Sequence, residues 1–583
     1  MHNMAIKLAK TAGFCMGVKR AVDIVLEIAQ QSSNRKIYTY GPLIHNPQTI
    51  ELLKKRGIFP VERIEEIDAS GKTILIIRAH GISPEERKAI RDKGVTIVDA
   101  TCPKVAHVQS IIRKHAERDY TTVIVGDREH PEVNGLLGYA GPKGVVLSHE
   151  LEVKNLPDTA KICVVAQTTQ NLDEYGRIVA KIRDRFPEAV IFNTICDSTE
   201  RRQSEVKELA RGSDAMIIIG GKNSANTRRL AELSEQEGKP TFHIETVEEL
   251  KDKPITTFGD IGVSAGASTP NWIINRLVDT LTEYQDEKTG PLSRFVNLWG
   301  LAIKTGIYSA CGAGCLACTG MLLQGMVPRS AAVLAMVLYV FAMHTLNRLI
   351  DRKTSAGIGS FREETYRVHE KRYIGAALIS LVVSLFLAAT LGMGPFGLLL
   401  TLSILGILYN TPLLPFRGRR RRLKDLPGSK NVSVALAWSS VGALLPALID
   451  APVFSPNIGV AFVFIFAMVF IRSSMSDLLD IQSDRLIGRE TIPVVIGEKR
   501  TRQLLTGVAF TTGVMLIVSY ALGWSSSLAL TLLFCLFYIL ICFKLYDRRS
   551  GLSGVVLEGL LETSYIVTGA VALLWIYAIR FWT

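Results

Sequence analysis

AGFCMGVKRAVDIV (12–25) opens a pattern that returns twice, as VDATCPKVAHVQSI (98–111) and as NTICDSTERRQSEV (193–206). In each copy an extended run leads to a cysteine, and a helical run with basic residues follows. A thiol at a helix N-terminus near a cation is stabilised as the thiolate. The repeat predicts three thiolates that converge on a pseudo-threefold axis. The cysteines are Cys15, Cys102 and Cys196, which lie 87 and 94 residues apart.

Three such thiolates can hold three irons of a [4Fe–4S] cluster and leave the fourth iron open for a substrate. The spacing leaves two other interpretations open. Three buried structural cysteines would give the same pattern, because free cysteines are common in cores. Zinc is the other, although structural zinc sites usually carry close CxxC pairs, which the first half of the chain lacks.

Short β-branched runs alternate with helical stretches, which predicts an α/β fold with parallel sheets. The runs are ILIIR (74–78), TIVDA (96–100), TVIVG (122–126), KICVVA (161–166), AVIFN (189–193) and AMIIIG (215–220). Polar motifs follow the apolar runs, where open α/β folds bind ligands, and their imidazoles, hydroxyls and amides suit a diphosphate. These motifs are GPLIHNP (41–47), IRAHGIS (77–83), GDREHPEVNG (126–135), AQTTQN (166–171), GGKNSANTRRL (220–230) and SAGAST (264–269).

Taken in order, these motifs and the cysteine stretches resemble the 4-hydroxy-3-methylbut-2-enyl diphosphate reductases, over residues 1–285. The resemblance implies a three-lobed α/β fold around a [4Fe–4S] cluster held by the three cysteines. It implies reductive removal of the hydroxyl from an allylic diphosphate, giving isopentenyl and dimethylallyl diphosphate. Glu132 would relay the proton, and external ferredoxin or flavodoxin would supply electrons. The implied diphosphate ligands are His45, His80, His130, Thr168, Ser224, Asn226 and Ser268.

One position departs from that family, which usually has two successive serines where this chain has Ser224 and Ala225. The lost hydroxyl predicts a weaker diphosphate site, or one repaired by Asn223 or Thr227. We expect activity to survive the change.

The two halves of the chain differ in charge. Residues 1–287 hold 39 Lys and Arg against 40 Asp and Glu, whereas the remainder holds 28 against 14, so the basic excess lies in the second half. A charge-neutral first half excludes a nucleic-acid-binding protein. The second half, taken as 286–583, is apolar and predicts an all-α bundle of nine membrane spans. They are 298–323, 331–350, 373–392, 395–415, 432–450, 457–475, 504–523, 526–545 and 554–578.

Basic residues mark one side of these predicted spans and place it in the cytosol. Met1–Lys10 has no continuous apolar run of the kind that directs secretion, so the first half is expected in the cytosol. The sequence therefore predicts a multi-pass protein of the inner, cytoplasmic membrane. The inner-loop cations are Arg352, Lys353, Arg362, Arg367, Lys371, Arg372, Arg417, Arg419–Arg422, Lys424, Lys430, Arg485, Arg489, Lys499, Arg500, Arg502, Arg548 and Arg549.

Two predicted inner loops carry acids, in NRLID (347–351) and DLLDIQSD (477–484). Asp477, Asp480 and Asp484 fall on one helical face, where Mg²⁺ bridging a diphosphate would offset their charge. With GRETIPVVIG (488–497) and YNTP (409–412), these motifs resemble UbiA-type prenyltransferases. The resemblance implies that Asn347, Asp351, Asp477, Asp480 and Asp484 bind Mg²⁺ and diphosphate.

The first acidic motif is altered, because Arg348 and Ser355 replace two acids that the family usually has. An alternative is therefore a non-catalytic prenyl-diphosphate-binding or membrane-anchoring module. Cys311, Cys315 and Cys318 have a cluster-like spacing, but their apolar, Gly- and Ala-rich surroundings favour helix packing. Glu558 and Glu562 are expected to face the interior of the bundle.

Overall fold

A computed structural model describes most of the chain. Clustering of contacts divides the chain into two compact units, Met1–Gln285 and Asp286–Thr583. The described residues are 5–31, 35–68, 73–159, 161–286, 291–352, 366, 369–411, 414–416, 419–421, 423, 426, 428–449, 455–487, 489–547 and 554–582.

Three four-stranded parallel sheets build the first unit. The first contains β2 (Lys36–Tyr40), β3 (Ile58–Val61), β4 (Thr73–Ile77) and β5 (Thr96–Asp99). The second contains β6 (Thr121–Val125), β7 (Gly144–Leu147), β8 (Ile162–Ala166) and β9 (Val190–Ile191). The third contains β10 (Ala215–Ile219), β11 (Thr241–Ile244), β12 (Asp260–Ala265) and β1 (Ala5–Leu8).

All three sheets have the same strand order. The orders are β3-β2-β4-β5, β7-β6-β8-β9 and β11-β10-β12-β1. Numbered within each repeat, every sheet reads 2-1-3-4, and β1 from the start of the chain supplies the fourth strand of the last repeat. In each sheet the chain leaves the two central strands toward opposite edges, which makes a topological switch point between them. The predicted three-lobed repeat is confirmed.

Helices connect the strands of this unit and cover the sheets. They are α1 (Met16–Gln31), α2 (Pro47–Lys55), α3 (Pro84–Asp92), α4 (Pro103–Ala116), α5 (Pro131–Ala140), α6 (Leu172–Arg185), α7 (Asp197–Arg211), α8 (Ala225–Gln236) and α9 (Asn271–Asp286). Several begin at residues that satisfy free N–H groups: Asn46, Asn171 and Ser224 cap α2, α6 and α8 through side-chain oxygens. Short 3₁₀ turns lie at Ile64–Glu66, Gly141–Lys143, Glu150–Asn155, Val247–Asp252 and Ile255–Thr257.

The central strands are buried on both faces, as parallel sheets between helices require. Every residue of β4, β6, β8 and β10 is buried. This explains why continuous apolar runs revealed these strands in the sequence. The edge strands β3, β7 and β11 are less buried and carry shorter or broken runs, and neither they nor the central strands β2 and β12 were predicted.

The second unit is almost entirely helical. Six of its described helices are long and apolar enough to cross a membrane, or seven if the pair Leu298–Thr305 and Ile307–Leu323, bent by 79°, is one span. The helices are α10 (Pro291–Thr305), α11 (Ile307–Leu323), α12 (Ser330–Arg352), α13 (Glu370–Leu391), α14 (Met393–Tyr409), α15 (Ser429–Ser439), α16 (Leu445–Ala447), α17 (Pro456–Leu479), α18 (Ile481–Ile487), α19 (Ile492–Ile496), α20 (Glu498–Ala521), α21 (Leu528–Thr531), α22 (Leu533–Asp547) and α23 (Gly554–Trp582). A π-helical turn, Ser440–Leu444, joins α15 to α16, and a two-stranded ribbon pairs Leu414–Phe416 with Arg419–Arg421.

The count of nine spans stays a prediction, because two of the nine segments are not among the spans counted above. The segment 395–415 contains α14, which has 17 residues, and 432–450 contains α15 and α16 on either side of the π-helical turn. Of the inner-loop cations, Lys353, Arg362, Arg367, Arg417, Arg422, Lys424, Arg548 and Arg549 lie outside the described residues, as does Ser355 of the first acidic motif.

Candidate functional site

Each of the three predicted cysteines stands where the chain passes from one sheet to the next. Cys15 lies between β1 and β2, Cys102 between β5 and β6, and Cys196 between β9 and β10. Each precedes the first residue of a helix, and Cys102 and Cys196 are the N-caps of α4 and α7. The predicted setting, a thiol at a helix N-terminus, is therefore present three times.

The backbone fixes the three cysteines in the same way. The N–H of Cys15 donates to the carbonyl of Ala267 at 3.1 Å. The N–H groups of the other two donate at 2.9 Å, from Cys102 to Ala79 and from Cys196 to Thr168. Every acceptor is the second residue after the third strand of its repeat. The contact is thus a threefold feature that ties each cysteine to a ligand loop.

The thiols lie near one another. A Cβ atom on Gly17 would sit 2.6 Å from Cys102 Sγ and 3.9 Å from Cys15 Sγ. Burial raises the pKa of Cys102, and the thiols of Cys15 and Cys196 add to the rise. A thiolate at Cys102 therefore needs positive charge nearby, which bound iron would supply. The donor set therefore fits a three-cysteine cluster site, and this proximity favours it over three separate structural cysteines.

The predicted diphosphate ligands all lie in the loop, or in the first turn of the helix, that follows the first or third strand of a repeat. His45, His130 with Glu132, and Ser224 with Asn226 follow the first strands. His80, Thr168 and Ser268 follow the third strands. Because these strands flank the switch point of each sheet, the predicted residues occupy the positions where this topology binds ligands.

Three histidines form the centre of this group. Ring centroids are 4.7 Å apart for His45 and His80, 5.3 Å for His80 and His130, and 5.7 Å for His45 and His130. The pKa is lowered to about 4 for His45, to about 3 for His130 and well below its usual range for His80, and burial is the main cause in each case. The rings are therefore neutral near pH 7 and act as hydrogen-bond donors and acceptors.

Buried donors without a partner line the same region. His45 Nε2, His80 Nδ1 and Asn226 Nδ2 are buried, and no described residue accepts from them. Three histidines of this geometry can also hold a metal ion. The charges around them favour an anion, since the arginines Arg78 and Arg228 act on the pKa of both His45 and His130. Neither arginine was among the predicted ligands.

Glu132 is held by Thr168. The Thr168 N–H donates to one carboxylate oxygen at 2.7 Å and its hydroxyl donates to the other at 2.8 Å. Burial of Glu132 raises its pKa despite these bonds. The N–H of Glu132 donates to His130 Nδ1 at 3.2 Å, which leaves the proton of the neutral ring on Nε2. A buried carboxyl with a raised pKa is suited to proton transfer.

The loops that carry Ser224 and Ser268 follow strands of the third sheet, and Ser268 contacts the histidine group. Ser268 donates its hydroxyl to the carbonyl of His45 at 3.0 Å, and Ser224 caps α8. Ala225, the first residue of α8, is buried beside Ser224. Neither Asn223 nor Thr227 clearly replaces the hydroxyl that is missing at Ala225. Asn223 is exposed. The Thr227 hydroxyl oxygen would lie 2.1 Å from a Cβ on Gly266 and 3.0 Å from one on Gly220, so it faces these glycines.

In the second unit, Asp477 is buried and already has partners. Lys430 Nζ lies 2.9 Å from Asp477 Oδ1, and Asn431 Nδ2 lies 2.8 Å from Oδ2. Asn431 is held in turn by Ser473, whose hydroxyl donates to its Oδ1 at 2.9 Å. In the sequence, Lys430 is marked only as a basic loop residue. It supplies positive charge to Asp477, where we expected magnesium.

The prediction of one continuous helical face for the three aspartates is wrong. The helix α17 ends at Leu479, Asp480 is its C-cap, and Asp484 belongs to α18. Asp477 and Asp484 are buried, whereas Asp480 is exposed. Arg489 Nη1 lies 3.7 Å from Asp484. Burial raises the pKa of Asp484 to about 7, and Asp477 and Asp480 add to this rise.

The first acidic motif lies in the last turns of α12. Asn347 accepts a hydrogen bond from Asn410 of YNTP at 2.7 Å. The side chain of Asp351 lies outside the described part of the chain. Arg348 donates to the carbonyl of Lys304, at the end of α10, at 3.1 Å. Arg348 thus bonds backbone at the bend between α10 and α11.

Arg472 pairs with two acids outside the two acidic motifs. It contacts Glu562, and it lies 3.4 Å from Glu558. Glu562 is fully buried and the side chain of Glu558 is 14% exposed, so both face the interior as predicted. Cys315 packs against α23, where its Cβ lies 2.6 Å from the Cβ that Gly569 would carry. This packing supports the structural interpretation of Cys311, Cys315 and Cys318.

Comparisons with known proteins match the two units separately. A family model described as LytB protein matches residues 6–282, and one described as UbiA prenyltransferase family matches residues 310–561. The chain is 44% identical over 280 residues to a 4-hydroxy-3-methylbut-2-enyl diphosphate reductase of Pelobacter propionicus, covering 48% of this chain and 98% of the relative. It is 41% identical over 285 residues to the reductase of Citrifermentans bemidjiense, and the match covers 49% of this chain and 99% of the relative. A solved UbiA homolog from Archaeoglobus fulgidus bound to GPP and Mg²⁺ is 18% identical, with TM-score 0.35, covering 47% of this chain and 99% of that chain.

Proposed function

We propose, since this chain belongs to the LytB family of 4-hydroxy-3-methylbut-2-enyl diphosphate reductases, that residues 1–285 remove the substrate's hydroxyl by reduction. The products would be isopentenyl and dimethylallyl diphosphate. A UbiA prenyltransferase family domain follows in the same chain. The observation that carries the proposal is the clustering of three thiols, one from each passage between sheets of the same strand order, and of three neutral histidines that follow strands of the first two sheets.

The chain's own residues would bind the diphosphate by neutral donors backed by fixed cations. His45, His80 and Asn226 present buried nitrogens without a partner in the described structure. Arg78 is largely buried beside them, and burial lowers its pKa without removing its charge at neutral pH. Bonds from neutral donors to an anionic ligand are stronger than neutral pairs, so these groups favour a diphosphate over an uncharged alcohol.

Glu132 would hold the proton that leaves with the hydroxyl as water. When its carboxyl is protonated, Thr168 can accept from it at 2.8 Å and donate its own hydroxyl proton onward. The bond from the Glu132 N–H to His130 keeps the His130 Nε2 proton directed away from Glu132. Proton delivery and diphosphate binding thus share one loop.

Cys15, Cys102 and Cys196 would hold a [4Fe–4S] cluster, which supplies electrons one at a time and an open iron as Lewis acid. We propose ferredoxin or flavodoxin as the external electron donor. The test is anaerobic turnover of the substrate by the iron-loaded full chain with a chemical reductant. Formation of both five-carbon diphosphates supports the proposal, and failure of the iron-loaded protein to consume substrate contradicts it.

Restoring the missing hydroxyl should improve substrate binding. Ala225 is buried at the start of α8, and helix N-termini bind phosphate. Because a hydrogen bond to a charged group contributes about 1.5–3 kcal/mol, Ala225→Ser is expected to lower KM about tenfold or more while kcat stays near wild type. Asn223→Ser, an exposed change two residues away, is the matched control and should leave both constants unchanged. An unchanged KM in Ala225→Ser would show that this position does not face the diphosphate.

For the second unit we propose a nine-helix multi-pass bundle, here taken as residues 286–583, in the cytoplasmic membrane, with residues 1–285 in the cytosol. Seven spans are counted by length. Adding α14 and the segment from Ser429 to Ala447 brings the number to nine, and each of these two matches a predicted apolar segment. The basic residues between α18 and the first turn of α20, such as Arg489 and Arg500, support a cytosolic position for the acidic motifs.

We propose that this unit binds a prenyl diphosphate at Asn347, Asp351, Asp477, Asp480 and Asp484. Lys430 and Asn431 contact both carboxylate oxygens of Asp477, so Mg²⁺ at Asp477 would have to replace one of these partners. The raised pKa of Asp484 indicates that its anionic form needs a nearby cation. Lys430 is also a fixed cation that could receive a diphosphate without metal, which favours the alternative of a non-catalytic module.

Binding of dimethylallyl diphosphate to the full chain, with and without Mg²⁺, decides between transferase and module. We expect Mg²⁺ to tighten binding, and Asp484→Asn to remove that dependence because the buried carboxylate is lost. Lys430→Met should increase the dependence, since Asp477 is then free to bind the metal. Metal-independent binding that both variants leave unchanged would contradict the magnesium site and support the module. No binding at all would contradict both proposals.

A further inference from the structure

Each helix that begins at a predicted cluster cysteine carries a cation that reaches the segment of the next cysteine. The helices are α1, α4 and α7, which follow Cys15, Cys102 and Cys196. The contacts run in one direction around the pseudo-threefold axis and close on themselves. The pairs are Arg20 with Thr101, Lys104 with Asp197, and Arg202 with Gly13.

The Arg202 contact is the most buried of the three. Its guanidinium donates to the carbonyl of Gly13 at 2.6 Å and to that of Ala265 at 3.1 Å. Gly13 lies two residues before Cys15, and Ala265 lies two before the residue that accepts the Cys15 N–H. Arg202 Nε is buried and has no partner among the described residues. Arg202 therefore joins the Cys196 helix to both segments that position Cys15.

A carboxylate of the same helix strengthens this join. Glu205, one turn beyond Arg202 on α7, accepts from the N–H of Lys10 at 2.6 Å and from that of Thr11 at 2.9 Å. The segment before Cys15 is thus fixed by an anion at its start and a cation at its end. The positive charge is the nearer to the cysteine.

The other two contacts are progressively more exposed. Arg20 Nη1 donates to the carbonyl of Thr101, next to Cys102, at 3.0 Å. Lys104 Nζ lies 3.2 Å from the carboxylate of Asp197, next to Cys196, with side chains 52% and 70% exposed. Exposed ion pairs contribute little, so the three contacts should differ in strength.

We propose that Arg20, Lys104 and Arg202 form a cation ring of positioning residues, which holds the three cysteines at cluster-binding separation and makes the site electropositive. The inference deepens the proposed reductase function and rests on a cluster being bound at the three cysteines. The ring acts in two ways. Its contacts cross from one repeat to the next and so resist separation of the thiols. Its charges favour the reduced cluster, because reduction adds a negative charge.

The test measures iron retention and cluster potential in the full chain, loaded with iron under anaerobic conditions. For Arg202→Gln we expect iron loss to a chelator to become about 10–100-fold faster, the usual cost of losing an outer-shell partner. At the wild-type midpoint, the ratio of reduced to oxidised cluster should fall about tenfold, which is about 59 mV for one electron. Arg20→Gln and Lys104→Met should show smaller shifts in the same directions, and the shifts of Lys104→Met should be the smallest because its ion pair is the most exposed.

Arg202→Lys separates charge from geometry, because lysine keeps the charge but lacks the planar fork. We expect a wild-type potential with fast iron loss. Arg202→Gln with wild-type potential and iron retention would overturn the proposal. Should Arg202→Gln fail to fold by circular dichroism, the exposed Arg20→Gln decides, and wild-type behaviour there overturns the ring. Wild-type protein without a cluster would instead contradict the reductase function itself.

Discussion

Replacing any one of Cys15, Cys102 and Cys196 by serine is expected to abolish the cluster and, with it, reduction of the substrate. Each thiol is fixed by its backbone bond to a ligand loop, so a neighbouring group cannot take its place. Outer-shell changes alone cost about 10–100-fold in metal affinity, so loss of a direct ligand should cost more than about 100-fold in turnover. Iron content and the visible absorption spectrum report the loss independently of activity.

The matched control replaces Cys311, Cys315 and Cys318 together by alanine. These cysteines lie within α11, and the same assay should find the iron content of wild type. Iron loss in this control would place the cluster in the second unit. Full activity in any of the three single serine variants would refute the three-thiolate site.

Glu132→Gln is expected to keep the cluster and bind substrate while turnover falls by about 10²–10⁴, the usual contribution of a positioned acid or base. Glutamine preserves the shape of the side chain and can still accept from the Thr168 N–H, but it cannot supply a carboxylic proton. Single-turnover rates and substrate affinity measured on the same preparation separate proton transfer from binding.

Glu129→Gln is the control for this change, since Glu129 is an exposed neighbour in the same loop. It should leave turnover unchanged. Turnover near wild type in Glu132→Gln would mean that the proton has another source. Loss of substrate binding in that variant would instead assign Glu132 to the diphosphate site.

The repeat could be predicted from the sequence because every copy carries the same recognisable features. Cysteine at a helix N-terminus recurs three times, and the central strands, such as β4 and β10, are continuous apolar runs. The sequence did not show which strand completes the third sheet. β1 is a short AIKL segment, partly exposed, and only its parallel pairing with β12 shows that it completes the third sheet.

The loops of the candidate site could be predicted because polar residues follow buried strands, and the resemblance to the reductases assigned the ligand roles, which stay predictions. The groups that position these residues could not be predicted. Arg202 and Lys430 act through carbonyls and carboxylates that are distant in sequence, with separations of 189 residues to Gly13 and 47 to Asp477. Nothing in local periodicity marks such partners. The helix break at Asp480 was missed for the same reason, because the spacing of the aspartates fits an unbroken helix.

The most direct test of the reductase assignment is anaerobic incubation of the iron-loaded full chain with 4-hydroxy-3-methylbut-2-enyl diphosphate and a reductant. The iron count, the spectrum and the products are measured on the same sample. The account predicts about four irons per chain and conversion to a mixture of isopentenyl and dimethylallyl diphosphate. A protein that holds the cluster and binds the substrate, yet yields neither product, would contradict it.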